Sequence, residues 1–211
     1  MNAFHSWAFA VLQSMLPADK MVIAHDGFGV PETVEQRVER YHRFVDDLQA
    51  VVFDPKTKLP FTGPYARTQT AALLIGIAAH ESGLAPDVDL GPCKRDTPGT
   101  KLRCDSGHAA CVLQVHVTVL QADGRRTTRE GWTLEELFQD RQKCFRSGLA
   151  AARGSMGMCQ KNGPEGSLAA YAAGTCDTEA GLKGSRELWA YYQRASGAAV
   201  LVKDEVALAE P

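Results

Sequence analysis

The sequence has no apolar run long enough to cross a lipid bilayer. The longest, Ala71 to Ala79, falls far short of the roughly 20 residues that a membrane-spanning helix requires. Lysine and arginine form no long cluster, and the formal net charge is −2, which argues against a nucleic-acid partner. So weak a charge also gives no broad attraction to an anionic polymer. An anionic substrate would have to be held by a groove.

Residues 1–16 lack a basic n-region and a small-residue cleavage site, so we expect a first helix there and not a signal peptide. If the protein is exported, its signal has been removed or another route is used. Repeats and low-complexity linkers are also missing. The 211 residues are enough for one domain with a proper core.

Cysteine is missing from the first part of the chain and frequent in the rest. An even number of cysteines, mostly in loops, suggests up to three disulfides and an oxidising compartment. Reduced structural thiols are the alternative, and a zinc site is less favoured because no C-x-x-C pair exists. We expect three bridges, which pair Cys93 with Cys104, Cys111 with Cys144 and Cys159 with Cys176.

The apolar pattern predicts a mainly α protein. Apolar residues recur at three-four spacing over 32–52, and a helix from about Ala66 leads into Glu81. The segment 85–107 is turn-rich and predicts a loop or small β excursion. Thr133-Leu-Glu-Glu136 is a capping-box pattern that opens a helix reaching Leu149, and a loop is expected over 154–166. Short helices are expected at about 167–173 and 178–195.

Three segments describe the expected organisation. Residues 1–65 hold two helices, too little to be stable alone, so we expect them to pack on a main domain at 66–196. The tail covers 197–211, and its residues 200–211 show no periodicity, so we expect them to be disordered.

Glu81 is the residue with the clearest chemical signal. It ends an apolar, small-residue-rich stretch that predicts a buried helix, and the following Ser-Gly breaks that helix. A carboxyl group at the buried end of a core helix has poor access to water, and burial favours its protonated form. A general acid that works near neutral pH requires that form.

Three blocks follow one another in the sequence. They are Glu81-Ser-Gly-Leu, Gly107-His-Ala-Ala-Cys-Val-Leu-Gln-Val115 and Leu168-Ala-Ala-Tyr-Ala-Ala-Gly174. Together they resemble the signature of lytic transglycosylases and goose-type lysozymes, in which the blocks read roughly E-S-x-F, G-x-x-G-L-M-Q-I and A-Y-N-A-G. The resemblance covers about residues 66–176. It implies a lysozyme-like helical fold without metal or cofactor.

The resemblance implies a role for each block. Glu81 would be the catalytic acid, Gln114 and Tyr171 would line the cleft, and Ser82 would hydrogen-bond nearby. Each residue also has a purely structural alternative. Glu81 would cap a helix or form an ion pair, the Gln114 amide would be hydrogen-bonded to backbone, and Tyr171 would pack in the core. Two departures stand out, since Cys111 replaces the glycine before L-M-Q and Ala172 replaces the asparagine after the tyrosine.

A second carboxylate decides between hydrolysis and transglycosylation. An inverting hydrolase needs one to activate water, whereas a transglycosylase uses the hydroxyl of the muramic acid itself. Asp105 occupies the place where goose-type enzymes carry an aspartate, and Asp87 and Asp89 are other candidates, with turn formation as the alternative for all three. His80 and His116 flank the site, and each is expected to pack or hydrogen-bond, not to catalyse.

The expected function is cleavage of peptidoglycan between N-acetylmuramic acid and N-acetylglucosamine. Transglycosylation is preferred, and goose-type muramidase hydrolysis is the close alternative. Two rivals stay open, a catalytically silent wall- or chitin-binding module and a component of a virion or secretion apparatus that crosses the wall. The expected function implies peptidoglycan glycan strands as the partner, with a larger wall-crossing assembly as a further candidate, and an extracytoplasmic location, whether periplasmic, secreted or on a virion.

Overall fold

The computed structural model describes residues 2–19, 32–89, 108–205 and 207, and within these ranges the chain is mainly helical, as predicted. The first helices are α1 (Ala3–Met15), α2 (Val34–Val52), α3 (Ala66–Glu81) and the short α4 (Pro86–Asp89). Two small antiparallel hairpins follow, pairing β1 (Ala109–Ala110) with β2 (Val115–His116) and β3 (Val119–Leu120) with β4 (Arg126–Thr127). The later helices are α5 (Leu134–Gln139), α6 (Arg141–Met158), α7 (Gly163–Gly166), α8 (Ala169–Ala173) and α9 (Glu179–Gly197), with a 3-10 turn at Gln160–Asn162.

Helix α3 is the centre of the core. Its apolar stretch is buried on every face, as a helix that is hydrophobic all round must be. Gly76 lets the backbone of α9 approach, since a Cβ at that position would lie 2.8 Å from the Tyr192 nitrogen. Helices α1 and α2 contribute Phe4, Tyr41 and Phe44 to the same core. The N-terminal helices therefore pack directly on α3.

Polar side chains fix several helix starts. Thr33 and Gln36 form a capping box at α2, and Thr133 and Glu136 form the one predicted at α5. Each box satisfies two backbone N–H groups that the first helical turn leaves without partners. Asp140 caps α6 by accepting a hydrogen bond from the Lys143 amide.

The structure corrects the sequence prediction at three places. The helix expected from Thr133 to Leu149 is two helices, because the extended backbone of Asp140 ends α5 and its side chain starts α6. The loop expected over 154–166 is mostly helical, since α6 continues to Met158 and the 3-10 turn and α7 follow.

The third correction concerns the tail, whose predicted disorder is wrong for residues 201–205 and 207. The Asp204 amide donates to the Pro64 carbonyl and the Phe4 amide to that of Ala207, both at 2.8 Å. Ala207 is fully buried. These partners lie far away along the chain, so no local pattern could indicate them.

A buried ionic cluster holds α4 against α2 and α6. Asp89 is completely buried and accepts hydrogen bonds from Arg40 at 3.0 Å and from Arg141 at 2.8 and 3.0 Å. Glu32 accepts two more from Arg40. Such a cluster is stable only while every member keeps its partner. It fixes where the chain enters residues 90–107.

Two of the three predicted disulfides are confirmed, Cys111–Cys144 and Cys159–Cys176. The third, Cys93–Cys104, lies outside the described residues, as does most of the predicted excursion over 85–107. The two bridges are compatible with an oxidising, extracytoplasmic compartment. Across the described ranges, no helix is both long enough and apolar enough to span a bilayer.

Candidate active site

Helix α3 runs from the core to the surface and ends at Glu81. The helix ends there because Gly83 and Leu84 take positive φ values of 57° and 52°. Ser82 stabilises this end, since its hydroxyl donates to the Ala78 carbonyl at 3.0 Å and accepts from the Leu84 amide at 3.2 Å. The hydroxyl of Ser82 therefore makes two hydrogen bonds within its own helix end, and its predicted contact near the substrate stays a prediction.

The Glu81 side chain lies at the border between core and solvent. It is 23 % exposed, so the poor access to water expected from the sequence is only partial. Its Oε1 lies 3.4 Å from Nδ1 of His80. A carboxyl group placed in this way is backed by the protein and still open to a substrate.

The second block forms the β1–β2 hairpin, whose turn covers residues 111–114. Cys111 and Gln114 have φ values of 60° and 48°, in the left-handed region. Cys111 occupies the position where the resembled families have glycine, the residue that adopts this conformation most easily. The disulfide to Cys144 ties the turn to α6. The cysteine that departed from the expected motif thus adopts a conformation suited to glycine.

Helix α6 also packs against the next residues of the turn. Gly148 lies one helical turn after Cys144 and leaves room for Leu113, whose Cδ1 would be 2.3 Å from a Cβ at that position. Gln114 folds toward its own turn and donates through Nε2 to the Cys111 carbonyl at 2.9 Å. The predicted amide is thus at the site, with one of its hydrogen bonds made to the turn.

Tyr171, on α8, connects the third block to the second. Its hydroxyl donates to the Leu113 carbonyl at 2.6 Å, and its backbone amide donates to the Ser155 hydroxyl at 2.9 Å. Burial raises the pKa of Tyr171 well above its usual value, and the negative charge of Glu81 acts in the same direction. The tyrosine therefore stays protonated and is close enough to sense the charge of Glu81.

The structure thus brings Glu81, Gln114 and Tyr171 into one region. Of the three proposed second carboxylates, Asp89 is the one whose side chain the structure describes. Asp89 is occupied by two arginines and excluded from solvent, so it is unsuitable as a base for water. Asp105 lies outside the described residues, and so does the side chain of Asp87. Within the described part of the chain, no group of three or more His, Cys, Asp or Glu side chains could hold a metal ion.

One group at the site was not predicted. Oε2 of Glu187, on α9, lies 3.5 Å from Nε2 of His80, on the side opposite Glu81. A sequence signal for it exists, since Lys183, Glu187 and Tyr191 recur at helical i,i+4 spacing. That spacing shows a common face but not which residue of α3 the face meets.

Comparison with known proteins identifies no relative of this chain. No protein-family model matches the chain, and no curated protein or solved structure matches it significantly.

Proposed function

We propose that the chain is a peptidoglycan-cleaving enzyme of the lysozyme-like type, with Glu81 as its general acid and base. One observation supports this most strongly. The tyrosine of the third block donates its hydroxyl to the backbone of the second block, beside the glutamate of the first. Blocks that are far apart in sequence, and that resemble a catalytic signature, thus come together near one carboxyl group that is 23 % exposed.

The reaction needs a proton on the leaving oxygen and stabilisation of positive charge on the sugar. Glu81 would donate that proton to the oxygen between N-acetylmuramic acid and N-acetylglucosamine. The resulting carboxylate would then take the proton of the muramic C6 hydroxyl as its oxygen bonds to C1. The products are a free N-acetylglucosamine end and a 1,6-anhydro-muramic end, and the enzyme returns to its starting protonation.

Transglycosylation is preferred over hydrolysis because it needs one carboxylate. Among the described candidates for a second, Asp89 is held in the ionic cluster. Hydrolysis through Asp105 is the alternative that the product analysis below separates. The two disulfides suit a wall-facing compartment, and delivery by a wall-crossing assembly would suit the weak net charge of −2.

The test is mass spectrometry of soluble fragments released from purified peptidoglycan under oxidising conditions. Wild type should release fragments with 1,6-anhydro-muramic ends. Glu81→Gln, which keeps the shape but cannot donate a proton, should release none. Glu39→Gln, an exposed glutamate on α2, is the matched control and should behave as wild type.

Other outcomes would overturn parts of the proposal. Ordinary reducing muramic ends would make the protein a hydrolase. Release that persists in Glu81→Gln would remove Glu81 as the acid. If wild type sediments with peptidoglycan but releases nothing, the chain is a wall-binding module, and if it does neither, the wall is not its substrate.

A further inference from the structure

His80 is held between two carboxylates at the mouth of the candidate site. Its Nδ1 lies 3.4 Å from Glu81 Oε1, and its Nε2 lies 3.5 Å from Glu187 Oε2. Both ring nitrogens therefore face an acceptor, which is the arrangement an imidazolium satisfies best. The imidazole is 25 % exposed and Glu187 is 50 % exposed. The ion pair on the Glu81 side is the better shielded from solvent.

The packing of α3 on α9 creates this arrangement. The close approach at Gly76 brings the face of α9 that carries Glu187 and Tyr191 beside the end of α3. Tyr191 meets the imidazole edge-on, with ring centroids 5.2 Å apart. Two cations lie nearby, Lys183 at 4.0 Å from Glu187 and Arg194 over the Tyr191 ring. Among the residues that the structure describes, the carboxylates in contact with His80 are Glu81 and Glu187.

We propose that His80 is a positioning residue that orients Glu81, with Glu187 fixing the imidazole from the opposite side. This inference rests on the proposed function, because it assigns the pH range in which Glu81 works. Both distances are longer than a short hydrogen bond. Contacts of this kind commonly tighten when substrate enters a site.

The carboxylates around His80 determine the direction in which its pKa shifts. The hydrogen bond to Glu81 raises the pKa of His80 above its ordinary 6.5, against the lowering by burial, and Glu187 adds to the rise. The imidazolium therefore stabilises the fold fully below pH 6.5, and this contribution is lost as the pH rises through the higher folded pKa. While it is protonated, His80 can donate to Glu81 and to Glu187 at the same time.

The contact with Glu81 makes the rate depend on the charge of His80. The imidazolium can donate to both carboxylates at once, whereas a neutral imidazole can donate from only one ring nitrogen. The orientation of Glu81 therefore weakens as His80 loses its proton, and the rate should fall as the pH rises through the folded pKa of His80, above 6.5.

The experiment is the pH profile of kcat/KM for peptidoglycan release in wild type, His80→Asn and His80→Ala. Asparagine can still donate to Glu81 but does not titrate. Wild type should lose rate as the pH rises above 6.5, and His80→Asn should show no such fall, because asparagine donates to Glu81 at every pH. His80→Ala, which cannot donate to Glu81, should also show no such fall and should be slower than His80→Asn at every pH.

Failure of this inference is distinguishable from failure of the proposed function. An active wild type whose fall in rate above pH 6.5 persists in His80→Asn overturns the positioning role of His80 alone. A wild type that releases nothing removes the proposed function, and the inference with it. A uniform loss at every pH would mean that His80 is merely structural.

An NMR titration of the His80 ring protons tests the coupling without turnover. The midpoint should lie above 6.5 in wild type and fall in Glu81→Gln, with a smaller fall in Glu187→Gln because that carboxylate is half-exposed. Glu39→Gln should leave it unchanged. A midpoint that does not respond to Glu81→Gln contradicts the proposal.

Discussion

The Cys111–Cys144 bridge offers a test of the turn that carries Gln114. We compare Cys111→Ala/Cys144→Ala with Cys111→Gly/Cys144→Ala, which differ only in the residue at φ 60°. The bridge joins residues 33 apart, and chain entropy for such a loop predicts a loss of about 3.7 kcal/mol on its removal. Both variants should lose about that much, because neither can close the loop.

The glycine variant should recover part of the loss. An L-residue in the left-handed region costs roughly 1–2 kcal/mol, and glycine avoids this cost. Glycine also adds freedom to the unfolded chain, worth about 0.4–1 kcal/mol in the opposite direction. The net expectation is that Cys111→Gly/Cys144→Ala is more stable than the alanine variant by about 0.5–1 kcal/mol.

Urea unfolding followed by circular dichroism, under non-reducing conditions, measures the free energy of unfolding. The second bridge supplies the control, since Cys159 has an ordinary φ of −97°. Its removal should cost about 3 kcal/mol for a separation of 17, and Cys159→Gly should be no better than Cys159→Ala. If glycine at 111 gives no advantage over alanine, the left-handed turn is not adopted and the geometry around Gln114 is refuted.

Two further substitutions test the surroundings of the site by the same unfolding measurement. Asp89→Asn should cost about 3–5 kcal/mol, because Arg40 and Arg141 lose their buried partner, whereas Asp123→Asn in an exposed pair should change nothing measurable. An equally small effect at Asp89 would mean that the arginines find other partners. Tyr171→Phe should cost about 1–3 kcal/mol, since the Leu113 carbonyl loses its donor, and peptidoglycan release should slow. Unchanged stability and release would contradict the contact between the second and third blocks.

Local sequence patterns were sufficient where a structure depends on neighbouring residues. The capping box at Thr133 marks the start of α5, and the Ser-Gly after Glu81 marks the end of α3, as predicted. They failed at Asp140, where apolar spacing continues across a break in the helix. Apolar periodicity shows which side chains are buried. The apolar spacing runs from α5 into α6 without interruption, so it does not reveal the break between the two helices.

At the candidate site, too, short motifs predicted some residues, and contacts between distant segments decided the others. Glu81, Gln114 and Tyr171 could be chosen from sequence because each lies in a short motif. Glu187 could not, because its partner His80 lies on another helix, and the two meet only where Gly76 lets α3 and α9 approach. The engagement of Ser82 by its own helix end was hidden for a related reason, since a hydroxyl in a motif does not show which partner it will choose.

The sequence by itself determined the mainly helical class and the buried helix that ends at Glu81, because each follows from composition or short-range spacing. Tertiary structure alone decided that Asp89 is locked between arginines, that the tail docks against α1 and α3, and that an imidazole joins two carboxylates at the site. These depend on close approach between segments far apart in the chain. Burial and charge pairing across such contacts arise only when the helices pack.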